Sequence, residues 1–96
     1  MIVEVFTLRL APEASRAEFL AADARVQTEF YYQRAGLVRR TTASTPDGEW
    51  VVVVLWGTEA DVLAAAEAAT HDPAAEAFGS LIDHGSVSVK RYDTLD

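Results

Sequence analysis

EWVVVVLWGTEAD, residues 49–61, is the stretch on which the fold turns. A strand with one face in water alternates apolar and polar residues. This one runs apolar without a break from Trp50 to Trp56. The period of two puts Trp50, Val52, Val54 and Trp56 on one face and Val51, Val53 and Leu55 on the other. Both faces therefore ask for cover. Thr58 then opens a helical pattern, with Asp61 at the spacing of a capping box.

Reading outward, residues 2–10 give a first strand. Ile2, Glu4, Phe6, Leu8 and Leu10 share one face, and Val3, Val5, Thr7 and Arg9 share the other. A helical segment follows from Pro12, with Pro12 and Glu13 in its first turn, Arg34 in its last and Gly36 as its stop, and room for a break at residues 21–24. At 100° per residue Phe19, Val26 and Phe30 fall on one line. LVRRTTAST is a polar-leaning second strand, joined to the third through the Pro46-Asp47-Gly48 turn. EADVLAAAEAAT is helical. Asp72 caps a shorter helix with Pro73 at its first position. GSVSVKRY closes the chain as a fourth strand.

The order βαββαβ with right-handed crossovers predicts an α+β, ferredoxin-like fold: a four-stranded antiparallel sheet, order 4-1-3-2, with helices on one face. The helices cover one side only. Wetting the apolar set on the other side is unfavourable, so the expected partner is a second copy packed through the sheet face as a homodimer.

The 96 residues predict a single domain spanning residues 1–96. A formal net charge of −7 disfavours nucleic acid and anionic membranes as partners. The absence of cysteine excludes thiol catalysis, disulfides and thiolate metal sites. No apolar run reaches the length of a membrane span, and a cytoplasmic location is expected.

Asp23, Gln27, Tyr31 and Arg34 interrupt the apolar side of the first helix. Facing a sheet, such groups either partner one another or line a wet cavity suited to a small molecule. His71, at a helix junction, and Tyr31 are the candidate proton-transfer residues; His84 is a second histidine at a strand start. Trp56, at a strand end, is a candidate pocket wall for an aromatic ligand. One of Arg39 and Arg40 should face inward or toward a second subunit. No metal site, phosphate loop or dinucleotide fingerprint appears, so no cofactor is expected.

QTEFYYQRAGLVRRTTASTPDGEWVVVVLW and HDPAAEAF resemble segments of the dimeric α+β barrel superfamily, which includes the antibiotic biosynthesis monooxygenase-like families. The resemblance implies a homodimer whose two sheets form a shared barrel, with a pocket in each subunit between helices and sheet. It also implies two contrasting activities. Some such proteins oxidise polycyclic aromatics with molecular oxygen and neither metal nor flavin. Others open haem through an Asn, a Trp and a His, and Phe6–Leu8, Ala64, Ala65 and Phe78 do not match those positions. Three readings stay open: a binder of a small, partly aromatic molecule, a cofactor-independent monooxygenase, and a non-catalytic structural or stress-related dimer. In the enzyme reading Gln27 and Arg34 stabilise oxyanion charge and Trp56 positions the ring.

Overall fold

The computed structural model describes residues 1–96. The chain runs β1 (Ile2–Leu10), α1 (Arg16–Glu29), a single 3₁₀ turn (Tyr31–Gln33), β2 (Leu37–Ser44), β3 (Trp50–Trp56), α2 (Glu59–Ala69), α3 (Pro73–Gly79) and β4 (Ile82–Asp93). All pairings are antiparallel, in the order β2-β3-β1-β4, with the apolar strands β1 and β3 at the centre.

The expected barrel is not formed. β2 pairs only with β3, and β4 only with β1, so both remain free edges. A barrel is a sheet whose edge strands hydrogen-bond to each other around a closed circuit. This sheet is open.

Local signals explain the helix starts. Ser15 and Glu18 form a reciprocal capping box, so α1 begins at Arg16 and not at Pro12. No break interrupts residues 21–24; the change comes at Phe30, where the helix tightens into the 3₁₀ turn that carries Tyr31. Thr58 and Asp61 cap α2 in the same way, and Asp72 accepts from the Ala75 N–H with Pro73 next to it at the start of α3.

Gly36 ties β2 to α2. Its φ of +81° is a left-handed conformation, and the Asp61 carboxylate occupies the space a Cβ would fill. Its carbonyl accepts the Gly57 N–H at 2.8 Å.

The core lies between helices and sheet. Phe19, Val26 and Phe30 of the α1 segment pack inward with Leu8, Trp50, Val52, Val54 and Trp56, all nearly fully buried. Phe19 sits 4.7 Å from the Trp50 ring and 5.0 Å from Phe78. Cover stops short of β4, however. Val87 and Val89 are 38% and 44% exposed, although Val89 pairs with Phe6 and shares its face. On the helix-free face Val3, Val5, Val51, Val53 and Leu55 are half-buried by their neighbours.

Candidate functional site

Small side chains make the cavity. α2 and α3 are rich in alanine, and alanine does not reach the sheet where a leucine would. The result is a hollow between helices and sheet with two adjoining lobes that share Phe6, Phe30, Tyr31 and Ala69. One lobe, about 250 Å³, is walled by apolar groups from β1, β3, β4 and the helices, with His84 as its polar member. The other, about 420 Å³, holds Glu4, Trp56 and Arg91 against the alanines of α2. Open on the β4 side, an apolar cleft with a few polar groups is what a small-molecule site requires.

Glu4 is the polar interruption of an otherwise apolar β1 face, and it is 5% exposed. Burying a carboxylate demands compensation. Trp56 Nε1–H donates to Glu4 Oε1 at 3.2 Å, and Arg91 Nε–H donates to Oε2 at 2.9 Å. Arg91 pairs with Glu4 across the β1–β4 register, and its side chain is 49% exposed.

A second buried charge lies toward β2. The Arg40 side chain is fully buried. Its Nη2 donates to Asp23 Oδ1 at 2.8 Å and its Nη1 to Gln27 Oε1 at 3.1 Å, while Thr42 Oγ1 donates to the same Asp23 oxygen. Its guanidinium lies 4.6 Å from the centre of the Tyr31 ring and 5.5 Å from that of Phe78. The Gln27 amide nitrogen donates to the Tyr32 hydroxyl, so both ends of that side chain are engaged.

Tyr31 joins the two regions. It lines both lobes, and its ring centre is 6.2 Å from that of Trp56. Burial pushes its phenol above the ordinary tyrosine value, and the Arg40 cation pulls back against that shift. At neutral pH it is a protonated donor.

The expected site residues therefore separate. Tyr31 and Trp56 line the cavity. Asp23 and Gln27 face the sheet but bind Arg40. Arg34 stacks on Phe30 and borders a separate hollow beside Asp61. His71 points to solvent, its side chain 77% exposed and 3.6 Å from Glu67. Glu4, Arg91 and His84 complete the cavity's polar set; of the three, sequence reasoning names only His84, as the second histidine, and misses Glu4 and Arg91. A carboxylate at an inward β1 position was the available signal for Glu4. No cluster of His, Cys, Asp or Glu forms a metal site, and no helix is long and apolar enough to cross a membrane.

No protein-family profile and no curated protein matches the sequence. Solved structures do match the fold. SnoaB, a cofactor-independent oxygenase from Streptomyces nogalater, superposes with a TM-score of 0.80 at 20% identity, over 99% of this chain and 93% of that one. A Caulobacter crescentus protein provisionally named an antibiotic biosynthesis monooxygenase gives 0.81 at 18%, over 99% and 90%. Rv0793 from Mycobacterium tuberculosis gives 0.70 at 17%, over 99% and 95%. At these identities the likeness establishes a shared ferredoxin-like fold.

Proposed function

We propose that the chain binds a flat, apolar, partly aromatic molecule in the two-lobed cavity and acts as a cofactor-independent monooxygenase on it. The observation that carries this reading is the cavity itself: an apolar slot into which Tyr31, a buried phenol held protonated, presents its ring. Likeness in fold to a protein described as a cofactor-independent oxygenase supports the class of reaction.

The chemistry asks little of the protein beyond position and charge control. An enolisable ring ketone or electron-rich phenol, once deprotonated, reduces molecular oxygen directly. A new C–O bond gives a hydroperoxide, which loses water to leave a carbonyl. Tyr31 donates a hydrogen bond to the oxygen that gains negative charge. Its raised pKa makes it a donor and not the base. Trp56, fixed by Glu4, forms a ring-stacking wall.

Anthrone is a suitable probe, since oxygen converts its CH₂ to a carbonyl and one water. Catalysed oxygen uptake with formation of anthraquinone is the expected result, with Tyr31→Phe lowering the rate about 100-fold while quenching of tryptophan fluorescence reports unchanged binding. Binding without any uptake above buffer would leave the ligand-binding, non-catalytic reading in its place.

A second reading concerns assembly. Val3, Val5, Val51, Val53 and Leu55 form a continuous apolar stripe on the helix-free face. A second copy of the open sheet, packed face to face, is the occupant this reading assigns. Sedimentation should give twice the chain mass, and Val53→Asp should halve it. A wild-type monomer at high concentration sinks this assignment.

A further inference from the structure

We infer that His84 is the base that takes the substrate proton, through Nδ1, in the apolar lobe of the cavity; this rests on the oxygenase reading above. His84 stands at the start of β4, beside Ile82, and lines that lobe with Tyr31. Its Nε2 lies 2.9 Å from the Gly79 carbonyl oxygen at the end of α3. A carbonyl oxygen only accepts, so Nε2 carries the hydrogen. In the neutral ring Nδ1 then holds the lone pair, and it makes no hydrogen bond within the chain. The backbone thus fixes the tautomer that leaves a proton acceptor free.

The other cavity groups are unsuited to that task. Both Glu4 oxygens are engaged, one by Trp56 and one by Arg91. Tyr31 is a protonated phenol, and Arg91 has no lone pair to offer. Asp83, next to His84 in the chain, accepts the Gly85 N–H at 3.1 Å and pairs in register with Arg9 of β1, whose guanidinium is turned to Asp47; Glu76 on α3 is exposed. His84 is itself exposed at the rim of that lobe, so an imidazolium formed there exchanges its proton with solvent.

A ring C–H bond breaks, its proton forms an N–H bond at Nδ1, and the electron pair stays on the ring as an enolate stabilised by the Tyr31 hydroxyl. The enolate forms a C–O bond with molecular oxygen, the peroxide takes the proton back from the imidazolium, and loss of water leaves the carbonyl. Overall, CH₂ and O₂ become C=O and H₂O.

Proton removal can be read without oxygen. Under nitrogen in D₂O, wild-type protein should accelerate H/D exchange at the anthrone CH₂, followed by NMR. His84→Ala and His84→Gln should each lose about 100-fold of that acceleration, and added imidazole should restore His84→Ala. His84→Gln retains an N–H donor for Gly79, which guards against simple loss of fold. Exchange without oxygen uptake would sink the oxygenase reading and leave the base assignment standing. Variants that exchange as fast as wild type, a loss that imidazole does not restore, or no wild-type acceleration would each overturn the assignment of His84.

Discussion

Arg40 and Glu4 are both charged, both buried, and both on the helix-facing side of one sheet, yet their surroundings differ. Arg40, near the β2 edge, is roofed by α1, and its Nη groups end on Asp23 and Gln27 with Tyr31 and Phe78 stacked alongside. Glu4, near the β4 edge, is held by Trp56 and a half-exposed Arg91, and a cavity lies against it. What separates them is the helix overhead. α1 brings long polar side chains that close over a charge. α2 and α3 bring alanines, which leave room. One end of the sheet is thus a fastening and the other an open hollow.

The sharpest way to break this contrast is at the fastening. Arg40→Ala strands Asp23 and empties the space between two rings, and should cost about 3–5 kcal/mol in urea unfolding. Arg40→Met combined with Asp23→Leu should recover much of that loss, because it removes both charges together. A single variant close to wild type in stability would show that the network holds nothing.

At the open end the same kind of change should act on ligand and not on fold. Val89→Ser, at a residue 44% exposed, should move stability by about 0.5 kcal/mol or less. Its effect on anthrone affinity should be larger, up to about tenfold, read by tryptophan quenching. Equal losses at both ends would erase the distinction.

The smallest change in stability belongs to Tyr31, which borders both regions. Its folded pKa is raised, chiefly by burial. The neutral phenol therefore favours the folded state: that contribution is complete below the unfolded value near 10.0 and fades as pH climbs through the folded one. Tyr31→Phe should lose this alkaline sensitivity and should remove the late phase from a phenolate absorbance titration. A titration identical to wild type would place the phenol in water.

The fold was legible where signals are local. Periodicity in β1 and β3 set the faces, and the pairs Thr58–Asp61 and Asp72–Pro73 marked helix starts. The Ser15–Glu18 pair was equally local and was passed over for Pro12. Sheet closure was not legible, because apolarity on two faces says that both need cover without saying that edges join. The site was half legible. Helical spacing turned Asp23 and Gln27 toward the sheet, but their partner Arg40 is distant in sequence, and choosing it over Arg39 needs the β2 register, which slips between Leu37 and Arg39. The sequence favours His71 over His84, and the fold reverses that order: His71 turns to solvent and His84 borders the cavity.

Gly36 shows how far a single position can reach. Any side chain there would press on the Asp61 carboxylate, which also receives the Thr58 N–H and hydroxyl. The damage from Gly36→Ala would therefore surface as fraying of a helix that begins far downstream, and with it a loosening of the alanine roof above Glu4.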